Sequence, residues 1–409
     1  MSSEHHVLPN GLTVAVDPIP GAQSVAVGLY ASVGSRSEPE QLAGLAHLVE
    51  HMVFKGAGGR DTRALAEVVE DVGGSLNAWT ARDQTVFHGR ALARDLALVT
   101  ELIADLVRAP HFDEAHLARE KQVILSELGE SVDSPDDLVH DHLFEAAFEH
   151  QAIGRPVLGT EATLLSATRK DCSDWLEQQF LPSRLVLAAS GKVDPSGILK
   201  LAERLFGDLE AKEAPMIEPA RFTGGSRNDH RSFEQAHWCL AFRGLPASDV
   251  RGVALGLFVQ SLGGGTSSRL FQELREEQGL AYSVYAWSQA FSDTGLVGIG
   301  CAAERRQAAK SVELARQLLF DAAGGLTQAE LDRARAQVEA SLVMGLETAQ
   351  GRADQMARSI EIFGRIVSID ELIDQLRSVT VDEARAAGQM LVEGPLAFAS
   401  VGARLAIAA

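Results

Sequence analysis

Two histidines and a glutamate stand within five residues of one another, His47-Leu48-Val49-Glu50-His51. Imidazoles four positions apart share one face of a helix, so both can point at a single ion, with Glu50 beside His51 on the neighbouring edge of that face. Imidazole nitrogen is a zinc donor and a nearby carboxylate is a base for water, so the order H-x-x-E-H suits metal-assisted hydrolysis. A hydrolytic zinc takes three protein ligands and keeps one position open; a third histidine or carboxylate must come from elsewhere in the chain. The same five residues also read as a helix with two satisfied histidines, and the motif alone leaves both readings open. Other histidines offer no better set. His140-x-His142 and His88 lack a nearby set of partners in sequence and read as surface or packing residues.

The elements that would hold these groups follow from periodicity. The opening residues alternate apolar and polar on either side of Asn10-Gly11 and again through SVAVGLYASVGS, which is the pattern and turn chemistry of antiparallel strands. PEQLAGLAHLVEHMVF then changes to a helical period, with Leu42, Leu45, Val49 and Met52 on one stripe and Pro39 near the entrance. TRALAEVVEDVGG reads as a second helix closed by a glycine pair, SLNAWTARDQTVFHGRAL as strand, and DEAHLAREKQVILSELGE as a longer amphipathic helix. Strands and helices in irregular alternation predict an α+β fold.

At 409 residues the chain exceeds one typical core and predicts two domains. Residues 207–230 carry two prolines, a glycine pair and no period, and are the natural linker; the expected division is 1–210, a linker at 211–230, and 231–409. Glu273 opens ELREEQGLAYSVYAWS, which resembles EVVEDVGGSLNAWT from Glu67 and predicts that the domains are structural copies. Around Val253, where a second H-x-x-E-H would fall, no histidine occurs, so only the first half keeps a metal motif. The three cysteines, Cys172, Cys239 and Cys301, are too few and too scattered for a disulfide framework or a thiolate zinc site and read as buried thiols. The first residues lack a signal-peptide pattern and no long apolar run follows, so the expected compartment is the cytoplasm. A net charge of −19 repels nucleic acid; it reads as a solvated surface, or as an acidic chamber selecting basic substrates.

Five segments in order, GLAHLVEHMVFKG, GGSLNAWTARDQTVF, REKQVILSELGESVDSPDDLVHD, GRPVLGTEATL and LGGGTSSRLFQELREEQGLAYSV, resemble the pitrilysin family of inverted-motif zinc peptidases, which includes insulin-degrading enzyme and the mitochondrial processing peptidase. The resemblance covers nearly the whole chain. It implies two homologous domains, each a mainly antiparallel sheet packed with helices, together half of a clam-shaped chamber. It also implies one Zn²⁺ held by His47, His51 and Glu127, with Glu50 as base and Glu120 supporting the site from behind. Where many relatives carry two adjacent glutamates, this chain has Ser126-Glu127. Read without the resemblance, Glu120 is a surface ion-pair partner of Arg119 or Lys121.

The resemblance further implies that SLNAWTARDQTVF is a strand to which an extended peptide adds, with Asn77 and Ala78 beside the scissile bond. Arg275 and Tyr282 then correspond to groups that grip the substrate; by themselves Asn77 and Trp79 read as a turn residue and a core anchor, and Arg275 as one charge on a solvated helix. The expected activity is zinc-dependent endoproteolysis of peptides or small unfolded proteins. A chain of this length would close the chamber by pairing with a second copy or a homologous chain, with Arg275 and Tyr282 of one subunit serving the zinc of the other. The alternative from another class is a non-catalytic peptide-binding or assembly subunit.

Overall fold

Ser24–Ala31 reads SVAVGLYA, and all but its first side chain are buried; a strand apolar on both faces belongs in the interior of a sheet covered on both sides. In the computed structural model of the chain, which describes residues 3–405, this segment is β3 of a six-stranded sheet. Before it come β1 (Glu4–Val7) and β2 (Thr13–Pro18), an antiparallel pair turned at Gly11, whose φ of +99° suits glycine. After a short ribbon of β4 (Gly56–Ala57) and β5 (Arg60–Asp61) follow the hairpin β6 (Ser75–Thr80) and β7 (Thr85–Leu92), then β8 (Leu185–Gly191). The order is β1-β2-β8-β3-β7-β6, antiparallel except for β2 beside β8.

Helices α1 (Leu45–Val53), α2 (Thr62–Glu70) and α4 (Glu114–Asp133) follow the predicted order, and α3 (Leu96–Arg108), which was not predicted, comes between β7 and α4. The core of this unit packs Leu29 and Phe87 of the sheet with Leu48, Met52 and Leu102. The opposite sheet face, with Tyr30, Val86 and Val186, is covered by the helix Ala349–Phe363 through Ala353, Met356 and Ala357.

The second unit contains β9 (Gly225–Asp229), β10 (Gln235–Arg243), β11 (Ala281–Ala290), β12 (Gly295–Glu304) and β13 (Leu396–Val401), in the order β11-β12-β10-β13-β9. Its one parallel pair is β13 with β9. One face packs on the helices Gly252–Gly263 and Ala308–Gly325, the other on α5 (Pro135–Ala147) through Val139 and Leu143. Read from the parallel pair outward, β9-β13-β10-β12-β11 repeats β2-β8-β3-β7-β6. The Ala-Trp pairs that suggested the repeat, Ala78-Trp79 and Ala286-Trp287, both lie on the edge strand of their sheet.

Two expectations need correction. The compact units are 1–128 with 156–218 and 344–367, and 129–155 with 219–343 and 368–409, rather than the continuous stretches 1–210 and 231–409. Central strands apolar on both faces need a helix on each, and in each unit one of those helices comes from the distant half of the chain. The helix predicted from Pro39 begins only at Leu45; Glu40–Leu42 is a separate 3₁₀ turn, and Gly44, at φ +93°, cannot continue a right-handed helix backwards. Among the described residues no helix is long and apolar enough to cross a membrane.

Candidate active site

The chain reverses at Gly44 and is then anchored by a carboxylate. Buried Glu38 accepts hydrogen bonds from the N–H groups of Gly44 at 2.8 Å and Ala46 at 2.7 Å, placing a negative charge at the positive end of α1. Leu45, Leu48, Val49 and Met52 bury the opposite stripe, each contributing about 1.5–3 kcal/mol. With that face fixed, His47, Glu50 and His51 project from the other side of the same nine-residue helix.

The third group comes from α4. Leu117, Glu120, Ile124 and Glu127 recur at helical spacing, so the two carboxylates ride the stripe that also buries Leu117 and Ile124. Glu127 Oε2 lies 3.9 Å from His47 Nε2, and its Oε1 lies 3.7 Å from His51 Nε2. These separations exceed a hydrogen bond, and one donor atom from each of the three residues falls within 4.8 Å of the others. Two imidazole nitrogens and a carboxylate oxygen are a donor set that zinc takes, and three protein donors leave a coordination position free. Among the described residues it is the one cluster of this kind; His88, His140 and His142 belong to none.

Burial, and after it the charge of His51, push the His47 imidazole down to about 4, so at pH 7 it is the neutral, ligating form. Glu120 is buried and takes His51 Nδ1 at 3.3 Å and Lys55 Nζ at 3.0 Å rather than Arg119 or Lys121. A carboxylate on Nδ1 fixes its proton there and leaves Nε2 as the lone-pair nitrogen facing Glu127. Glu120 is therefore placed to orient the His51 ring. Burial raises the Glu50 carboxyl above its ordinary range, with Thr80 and His51 pulling the other way, and its Oε2 has no hydrogen-bond partner. A desolvated carboxylate beside a metal donor set is suited to accept and return a proton.

Thr80 ends β6, the edge strand of its sheet, which pairs with β7 and with no other described strand. Asn77 and Trp79 face outward, Ala78 inward, and the Asn77 side-chain oxygen accepts from the Ala78 N–H at 2.9 Å. Trp79, 41% exposed, is not a core anchor. Arg275 and Tyr282 lie in the other unit. Arg275 is on a π-helix, Phe271–Glu277, with its guanidinium 4.9 Å from the Phe271 ring centre. Tyr282 is 72% exposed at a β-bulge between Ala281 and Ser283, a device that turns a side chain out of a sheet.

Residues 13–161 match the sequence model of the insulinase family, peptidase family M16, and residues 166–338 match that of the peptidase M16 inactive domain. A protein named an uncharacterized zinc protease from Bacillus subtilis is 31% identical over 97% of this chain and 98% of its own length. One of the same description from Streptomyces coelicolor is 35% identical over 93% of this chain and 85% of its own. The chain belongs to peptidase family M16. Two solved structures share the fold. A protease from Helicobacter pylori has a TM-score of 0.89 at 20% identity, covering 98% of this chain and 99% of that one. A peptidase M16 inactive domain from Pseudomonas fluorescens has a TM-score of 0.91 at 21% identity, covering 100% and 99%.

Within this M16 chain, sequence reasoning missed four supporting residues. Lys55 follows His51 by four positions, a spacing that points to the same face, yet its partner Glu120 is on α4. Glu38 and Thr80 left no sequence signal, because their roles arise from a chain reversal and a strand end. Buried Arg36 binds Asp83 at 2.9 Å, while Ser35 and Arg36 N–H groups hold the carbonyls of Ala81 and Arg82, fastening the β6–β7 turn beyond Thr80.

Proposed function

We propose that the protein is a zinc-dependent endopeptidase that hydrolyses peptides or small unfolded proteins inside a chamber closed by two subunits. The observation that carries this reading is the convergence of His47, His51 and Glu127 beside the buried carboxylate of Glu50. His47, His51 and Glu127 would hold the zinc, with His51 oriented by Glu120. When bound, the zinc supplies Lewis-acid chemistry, polarising a carbonyl and making water more acidic. Glu50 takes the proton of the attacking water and delivers it to the amine nitrogen as the C–N bond breaks, so base and acid are one residue used twice.

The free edge of β6 would pair with an extended peptide through main-chain hydrogen bonds, giving affinity with loose sequence preference. Asn77 and Ala78 would then flank the scissile bond, and the Asn77 amide would give up the Ala78 N–H to the substrate. Arg275 and Tyr282, exposed donors, suit binding of a substrate carbonyl; in this reading they serve the metal centre of a second copy. The relatives' names support protease and zinc. Three buried free cysteines fit a reducing compartment such as the cytoplasm.

A non-catalytic assembly subunit is the rival, raised by the inactive-domain match. That match covers the half without the metal motif, whereas the half with the complete donor set matches the peptidase model. A quenched fluorescent peptide assay with and without chelator decides between them, alongside Glu50→Gln with its zinc content measured. Chelator-sensitive cleavage that Glu50→Gln abolishes while retaining zinc supports the peptidase; full activity in Glu50→Gln ends that reading.

A further inference from the structure

The face of the β6–β7 hairpin turned away from α1 carries Ser75, Asn77 and Trp79 on β6, opposite Arg90, His88 and Val86 on β7, with Val86 buried under the helix Ala349–Phe363 and Arg90 exposed at the other end. A peptide paired with the β6 edge would present alternate side chains to this face and the rest to the face of α1. Arg90 is exposed and its side chain makes no hydrogen bond or ion pair with the described residues. Its cross-strand partner is Ser75, whose one-atom hydroxyl reach leaves the path over β6 open. The intervening strand is about 4.8 Å wide, a span that a long guanidinium side chain can bridge.

Arg90, Ser75, Gly73, Gly74, Thr348 and Glu347 line a cleft of ≈ 620 Å³ at this end of the edge. Gly73 at φ +64° turns the chain into β6, and neither Gly73 nor Gly74 places a side chain in the cleft. Two other charged groups bear on this end of the face. Asp354 is engaged by Tyr30 and Gln350. Glu347 stands in the cleft without pairing to Arg90. Burial lowers the pKa of His88, so at neutral pH Arg90 is the cation of this face.

We propose that Arg90 is a specificity-determining residue that pairs with an aspartate or glutamate of the substrate, two residues along the peptide from the one beside Asn77. This rests on the peptidase reading and on pairing to β6. The two-residue period of a strand makes the preference sharp: the neighbouring substrate positions face α1 and do not meet Arg90. Glu347 opposes an acidic group there, so its neutralisation should deepen the preference.

The test is a positional series of quenched peptides with Asp, Gln or Lys placed at each site around one cleavable bond. kcat/KM is measured for the wild type, Arg90→Gln, Arg90→Glu and Glu347→Gln, and binding of the same peptides is measured to Glu50→Gln with and without Arg90→Gln. Expected is a preference of about three- to fivefold for Asp over Gln at one position. It should vanish in Arg90→Gln, turn toward Lys in Arg90→Glu and grow in Glu347→Gln, with turnover of the all-neutral peptide unchanged. An unchanged positional profile in Arg90→Gln, while the neutral peptide is still cleaved, overturns the role of Arg90 alone. No cleavage and no binding of any peptide by the wild type overturns the peptidase reading, and this inference with it.

Discussion

His51 is addressed at both ring nitrogens, Nδ1 by Glu120 at 3.3 Å and Nε2 by Glu127 at 3.7 Å, and the first contact decides what the second can do. If Glu120 sets the proton on Nδ1, its removal leaves all three residues of the donor set in place but lets the His51 ring and its tautomer drift. Glu120→Gln should therefore weaken zinc affinity by about 10- to 100-fold, read by competition with a chromophoric chelator, with secondary structure unchanged by circular dichroism. Glu127→Gln deletes a proposed ligand and should lose more. Equal affinity in Glu120→Gln and wild type would show that Lys55, not His51, is the partner that matters to Glu120. Glu50→Gln should separate from both, keeping zinc and losing hydrolysis, because the proposed mechanism puts it on the proton path and not in the donor set.

At the scale of elements, the site depends on where α1 starts. A Cβ on Gly44 would lie 2.5 Å from the carbonyl oxygen of Leu158 in a backbone conformation that L-residues rarely adopt. Gly44→Ala should cost about 1–3 kcal/mol in urea unfolding and weaken zinc binding, because the strain falls on the turn that orients His47 and His51. In the second unit, Arg269 binds both oxygens of Glu330 at 2.6 and 2.8 Å and the carbonyl of Gly325, fixing the segment that leads into the π-helix of Arg275. Burial alone would raise the Glu330 carboxyl, but Arg269 and Thr327 override it and hold it at about 2. A folded-state value below the ordinary 4.5 gives stability that is present above that pH and lost as pH falls toward 2. Arg269→Ala should thus cost about 1 kcal/mol at pH 7, discounted for solvent screening, with a difference from wild type that shrinks below pH 4.5.

These same elements show how far the sequence could be read. H-x-x-E-H on a helix was legible because it is a local pattern whose period the chain displays, whereas Glu127 and Glu120, on a second and distant helix, were reached only through the family resemblance. The shortened start of α1 was not legible, since Leu42 keeps the apolar period while the positive φ of Gly44 breaks it. Nor was the exchange that places Ala349–Phe363 over the first sheet, because its Ala353, Met356 and Ala357 stripe shows that the helix is covered without showing by what.

At the scale of the whole molecule, the site as proposed is completed by a second chain. Arg275 and Tyr282 are exposed donors on the unit that holds no metal cluster among its described residues, and the metal donors are all on the other. If two copies face each other, each centre takes its ligands and base from one chain and its carbonyl-binding groups from the other, as a closed twofold assembly requires. Glu50→Gln and the double variant Arg275→Ala with Tyr282→Phe should each be inactive as pure proteins. Mixed and allowed to exchange, half of the dimers become hybrids, and in each hybrid one of two sites has an intact set from both chains. Activity should return to about one quarter of wild type by that statistical count. Exchange is checked independently by co-purification of two differently tagged copies. A mixture that exchanges and stays dead would place both half-sites on a single chain and end the proposal of a shared chamber. A quarter of the activity regained would show that the smallest working peptidase is the pair.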